Sequence, residues 1–127
     1  MERDMKDFIF TFRNLPTTVW VPAADMYEDD RQVMIFVDMA GVDPDQVRIT
    51  LENRDILITG ERPRPSPGEV MRIHQMEIDA GLFKRRIPLP TPVDFDNIQC
   101  TYKNGLLRIV LSKKPQQETV QIHVESE

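Results

Sequence analysis

The segment Asn104-Gly105-Leu106-Leu107-Arg108-Ile109-Val110-Leu111 decides the fold class of this chain. Asn104-Gly105 is a tight turn, and the residues after it alternate with a period of two. Leu107, Ile109 and Leu111 fall on the inward face of a strand, with Leu106, Arg108 and Val110 opposite. The same period recurs upstream. Val47, Ile49 and Leu51 alternate with Arg48, Thr50 and Glu52, giving one buried face and one wet one. Ile56 and Ile58 share a face with Leu57 opposite, and Asn53-Arg54-Asp55 is a hairpin turn between the two runs. Gln32 to Asp38 is nearly continuous in apolar character, which predicts a strand covered on both faces. Ile73 to Ile78 and Leu82 to Leu89 read as further strands, interrupted near Ala80-Gly81. Gly41, Pro44, Gly60, Pro88, Pro90 and Pro92 punctuate the spaces, and proline is poorly tolerated inside central strands or helices. Many short strands with turn signals predict an all-β fold, an antiparallel immunoglobulin-like β-sandwich spanning residues 22–114.

Three segments fall outside that pattern. Pro115 blocks continuation of the last strand, and Gln116-Gln117-Glu118-Thr119 is a polar tether. The tether leads to the alternating strip Val120-Gln121-Ile122-His123-Val124, a V-x-I-x-V motif within a C-terminal extension at 115–127. Exposed branched side chains cost solubility unless they dock, so the simplest expectation is a protein that binds copies of itself through this tail. Residues 1–21 form a short flexible N-terminal arm with Phe8, Ile9, Phe10, Phe12, Leu15 and Trp20 among charges. A terminal segment without its own core docks on a domain or binds a partner. Phe8, Phe10, Phe12 and Trp20 are its candidate client or assembly contacts. Between Arg62 and Met71, the residues Pro63, Pro65, Pro67 and Gly68 make a long, stiff excursion. It reads either as a mobile loop or as an arm that adds a strand to another subunit's sheet edge.

Composition narrows the classes. At 127 residues, 40% hydrophobic and 29% charged, the chain has the make-up of one globular domain. Its longest strong apolar run, Val33 to Val37, is far shorter than the roughly 20 residues of a bilayer span. The mixed charges of Met1 to Asp7 argue against a secretory signal. One cysteine, Cys100, fits a reducing compartment, so a cytoplasmic location is expected. A net charge of −5 opposes attraction to phosphate backbones, and no nucleic-acid partner is expected.

No constellation of catalytic chemistry emerges. His74 and Glu77 have a spacing that brings two ligands together on a helix, but on a strand they point to opposite sides. His123 alternates with Ile122 and Val124 and is expected in solvent. Cys100 reads as a buried small thiol. Asp29 with Asp30, and Asp43 with Asp45, are turn carboxylates. Met26, Met34, Met39, Met71 and Met76 read mostly as core filler. With no G-x-x-x-x-G-K-[ST] phosphate loop, no nucleotide, metal or other cofactor is expected, and no enzyme activity.

Four landmarks, in order, carry a family resemblance. They are Val37-Asp38-Met39-Ala40-Gly41-Val42, Ile56-Leu57-Ile58-Thr59-Gly60-Glu61-Arg62, Gly81-Leu82-Phe83-Lys84-Arg85 with Leu89-Pro90, and Cys100-Thr101-Tyr102-Lys103-Asn104-Gly105-Leu106-Leu107. From about Ala23 to Val124 the chain resembles the small heat-shock proteins, the α-crystallin-domain chaperones. Cys100 stands where their signature has alanine, and Leu106 where it has valine. The resemblance implies an ATP-independent holdase that binds unfolding proteins, prevents their aggregation and assembles from dimers into larger oligomers. It places the family's tail motif at Val120-Gln121-Ile122, with Ile122-His123-Val124 as an overlapping register. It assigns the excursion to a homodimer interface, with Val70, Met71 and Arg72 on or beside an exchanged strand. Arg85 matches the family's interface arginine, with Glu69 or Glu77 as a carboxylate partner. The competing reading is a p23-like co-chaperone sandwich that stays monomeric and recruits one specific partner.

Overall fold

A computed structural model describes residues 19–69, 72–115 and 121–126. Among these residues seven strands form two sheets, and each strand pairs antiparallel with its neighbours. The larger sheet has the order β1 (Ala24–Glu28), β2 (Gln32–Asp38), β7 (Leu106–Lys113), β6 (Val93–Lys103). The smaller has the order β3 (Arg48–Glu52), β4 (Asp55–Arg62), β5 (Gly81–Pro88). A 3₁₀ turn, Pro44–Gln46, precedes β3, with the Asp43 carboxylate accepting from the Asp45 amide at its start.

The turn at Asn104-Gly105 explains how β6 folds back on β7. Both residues take positive φ, 54° and 76°, the handedness that matches the twist of an antiparallel pair. A Cβ at Gly105 would lie 3.3 Å from the Ala40 backbone, and the Gly105 carbonyl accepts from the Met39 amide at 2.8 Å. The turn is therefore keyed to the loop that follows β2.

Alternation supplies the core. Val33, Ile35 and Val37 of β2 and Leu107, Ile109 and Leu111 of β7 face Ile56 and Ile58 of β4 and Phe83 and Ile87 of β5. All ten are buried, and no polar or charged residue is buried among those described. Each such side chain contributes roughly 1.5–3 kcal/mol on burial, which makes this cluster the main favourable contribution to closing the two sheets.

The structure differs from the sequence-based expectations in several places. Residues 72–80 form no strand, despite the alternation at Ile73 to Ile78. Periodicity describes faces, whereas a strand also needs a partner, and among the described residues no strand pairs with this segment. The outer face of β2 is only half covered, because Met34 and Phe36 meet Arg108 and Tyr27 rather than a further layer. Two strands escaped the reading: β1, which is short and mostly exposed, and β6, whose register shifts between Val93 and Ile98. Cys100 is exposed on β6, not buried. A strand at a sheet edge leaves its outward side chains uncovered.

Candidate interaction surfaces

Two open sheets have four edges, and an unpaired edge invites another chain. The edge of β5 is partly occupied by Trp20, which forms a parallel bridge to Phe83. The Trp20 amide donates to the Leu82 carbonyl at 3.1 Å, and the Lys84 amide donates to the Trp20 carbonyl at 3.2 Å. Among the described residues no strand pairs with the outer edges of β1, β3 or β6. Apolar side chains lie along two of these edges, only partly buried: Val47, Ile49 and Leu51 at β3, Ile98 and Tyr102 at β6.

The outer faces are not uniformly polar. On the larger sheet Tyr27 packs edge-on against Phe36 at 6.0 Å, and the Arg108 guanidinium lies 6.0 Å from the Phe36 ring. Tyr27 and Leu106 are exposed beside them. A cleft of about 810 Å³ runs over the outer face of the smaller sheet, between Val19, Arg48, Thr59, Pro63, Leu82 and Lys84. Farther along that sheet Arg86 bridges Glu52 at 2.8 Å and Asp55 at 3.3 Å. The bond to Glu52, then that to Asp55, holds its guanidinium above the ordinary value.

The signature residues prove to be builders of the sandwich. Gly81 opens β5 at φ +88°, Phe83 is buried against Trp20 with ring centroids 5.3 Å apart, and Leu89 is buried with its amide donating to the Arg54 carbonyl. Pro90 is exposed just beyond. Asn104, Gly105 and Leu106 form the hairpin and the start of β7, where Leu107 turns inward. Trp20, assigned by its sequence to the arm, is held on the domain by the bonds above and by its indole Nε1, which donates to the Gly81 carbonyl at 3.1 Å.

The dimer candidates are dispersed. Arg85 is half-buried, and its buried Nε has no hydrogen-bond partner among the described residues. Glu69 and Arg72 are exposed, and neither Glu69 nor Glu77 is brought onto Arg85; Glu77 instead accepts from the Gln75 amide group. Val70 and Met71 lie outside the described residues, as do Phe8, Phe10, Phe12 and Val120. Ile122 and Val124 are 82% and 83% exposed.

The described residues hold no group of three or more His, Cys, Asp or Glu placed to bind a metal ion. Cys100 is exposed, yet neighbouring atoms still desolvate its sulfur in part, and this pushes the thiol up, away from the thiolate a nucleophile requires. None of the described helices is long and apolar enough to cross a membrane.

A four-stranded and a three-stranded antiparallel sheet closed over one apolar core, with the Asn-Gly hairpin leading into the central strand, define an α-crystallin-type sandwich. The Hsp20/alpha crystallin family model matches residues 25–125, and the chain belongs to that family. It is 40% identical over 92 residues to the 19.0 kDa class II heat shock protein of Oryza sativa, a match covering 68% of this chain and 53% of the relative. It is 33% identical to spore protein SP21 of Stigmatella aurantiaca, over 84% of this chain and 63% of that protein. The chain thus spans between half and two thirds of the length of these relatives. Among solved structures, a small heat-shock protein from Xylella fastidiosa superposes with a TM-score of 0.70 at 28% identity, over 86% of this chain and all of that one. The hspA structure from Xanthomonas axonopodis gives 0.70 at 33% identity, over 79% of this chain and all of its own.

Proposed function

We propose that this protein is an ATP-independent holdase that binds partly unfolded proteins through exposed apolar surface and assembles from homodimers into larger oligomers. Family membership supports the chaperone class. The observation that carries the assembly reading is the exposure of Ile122 and Val124, branched side chains more than four-fifths uncovered in the single chain. Side chains of this kind gain roughly 1.5–3 kcal/mol each on burial. The open edges of β3 and β6, with Val47, Ile49, Leu51 and Ile98 half covered, offer apolar surface of matching character. The unpaired Nε of Arg85 is the feature that favours its place in the dimer interface, where a carboxylate of the second copy would satisfy it.

With no nucleotide to drive a cycle, client access is governed by what covers this surface. Ordering a tether residue opposes docking by about 1–2 kcal/mol, so one tail binds weakly and reversibly. Several tails in one oligomer reinforce each other through effective concentration. The test pairs Val120→Ala with Ile122→Ala. The double variant is expected to shift the assembly toward dimers by light scattering after size separation, with client-aggregation suppression followed in parallel. An unchanged large oligomer would overturn the tail-docking reading. A wild-type monomer at all concentrations that fails to keep a heat-labile client soluble would favour the p23-like alternative.

A further inference from the structure

We propose that Arg62 is a positioning residue that latches the N-terminal arm to the returning end of the excursion, so that release of one loosens the other. Arg62 ends β4 and pairs across the ladder with Gly81, the first residue of β5. Its side chain meets three separate segments. Nε donates to the Asp79 carbonyl at 2.8 Å, and Nη1 donates to the Ala40 carbonyl at 3.2 Å. The guanidinium carbon also lies 4.1 Å from the centroid of the Trp20 ring. Trp20 closes the circuit by donating its indole N–H to the Gly81 carbonyl, two residues from the carbonyl that Arg62 holds. The stem of Arg62 crosses the Ala40-Gly41 turn, where a Cβ at Gly41 would sit 3.7 Å from its Cδ.

This arrangement needs a planar cation. A guanidinium can fork to two carbonyls while offering its face to an indole, whereas an ammonium supplies only a point charge. Each contact taken alone is weak, and the bonds of Arg62 to the Asp79 and Ala40 carbonyls are exposed. Together they are conditional on one another. Lifting Trp20 away strips the Gly81 carbonyl of its donor and the guanidinium of its stacking face. Moving Asp79 removes the anchor that holds the guanidinium under the ring. Residues 72–80 carry no strand structure and so extend the excursion of residues 62–71 as far as β5, and Asp79 to Gly81 is where it is fastened to the sheet. The arm is fastened at the same point through Trp20, helped by the fully buried Pro22. Groups that share one partner couple instead of adding.

The latch stands without the chaperone reading. If arm and excursion do carry client and dimer contacts, the latch would link the two. The chain has one tryptophan, so its emission reports this clasp directly. Trypsin reports the excursion: Arg62 and Arg64 precede prolines and resist cleavage, which leaves Arg72-Ile73 as the cleavable bond before Lys84. Arg62→Gln, Arg62→Lys, Trp20→Phe and the pair Arg62→Gln with Trp20→Phe are compared at equal assembly mass. Arg62→Gln should red-shift Trp20 emission and speed cleavage at Arg72 roughly threefold or more, with Arg62→Lys restoring neither in full. Trp20→Phe, which keeps an aromatic ring but loses the indole N–H, should also speed that distant cleavage. The double variant should be no faster than the faster single. Multiplying effects in the double variant, or unchanged cleavage in Trp20→Phe, would overturn the latch. Should Arg62→Gln fail to fold by circular dichroism, Trp20→Phe alone decides. Client protection measured on the wild type is a separate arm, and its failure would remove the chaperone reading while leaving the latch intact.

Discussion

A hydrogen at residue 60 where other residues carry a Cβ lets the smaller sheet close over its largest core side chain. An added Cβ at Gly60 would stand 2.5 Å from Cζ of Phe83 and 3.2 Å from the Gln46 carbonyl oxygen. The Phe83 ring is fully buried and wedged against Trp20, so it has little room to yield. Gly60→Ala is therefore expected to cost about 1–3 kcal/mol, read as a fall in Tm of roughly 4–8 °C per kcal/mol. Asp29 gives a pH-dependent counterpart. Its Oδ1 accepts from the amides of Arg31 and Gln32, both at 2.8 Å, and shapes the turn between β1 and β2. Those backbone bonds, Arg31 first, hold its carboxyl below the ordinary aspartate value. A carboxyl lowered on folding adds stability above its unfolded value and loses it as pH falls through the folded value. Asp29→Asn should therefore flatten the acid limb of stability, followed by denaturant midpoint from neutral pH downward. An acid limb identical to that of the wild type would show that the turn gains nothing from the charge.

At the scale of elements, the hairpin between β3 and β4, legible as Asn53-Arg54-Asp55, carries strain at its middle residue. Arg54 sits at φ 147°, a region comfortable for glycine and costly for a side chain. It is kept there by its amide, which donates to the Glu52 carbonyl, and by its own carbonyl, which accepts from Leu89. Arg54→Gly is expected to stabilise the domain by about 1 kcal/mol, seen as a higher denaturant midpoint with an unchanged slope. The excursion shows the opposite relation between pattern and structure. Ile73 to Ile78 alternates well enough to read as a strand, yet it stays unpaired, with Ile78 68% exposed. Among the described residues its hydrogen-bonding groups join no ladder.

At the scale of the whole molecule, the proposed docking of tails, weighed against tether ordering, predicts a concentration- and temperature-dependent assembly. Native mass measurement is expected to show smaller species on dilution and on heating, because conformational entropy opposes docking more as temperature rises. Protection of a heat-labile client should rise over the same range. Protection that stays constant while the mass falls would separate client binding from disassembly.

Much of the sandwich was legible because burial selects for period. Leu107, Ile109 and Leu111, Ile56 and Ile58, and the Asn104-Gly105 turn announce an antiparallel all-β domain from side-chain chemistry alone. Phe83 and Gly60 stand in the quoted landmarks, but their need for each other shows only when β5 lies beside β4. The strand β6 stayed hidden because Asp94, Asp96 and Asn97 break its alternation where the register shifts. The clasp of Arg62, Trp20 and Asp79 joins residues far apart in the chain through backbone carbonyls, which leave no mark on residue type. Local pattern, which needs only neighbours in sequence, determined the class of fold and the position of its turns. Which edges stay open, where the buried Nε of Arg85 is left unbonded among the described residues and where the arm is pinned were decided by tertiary structure, since each depends on what folding brings alongside.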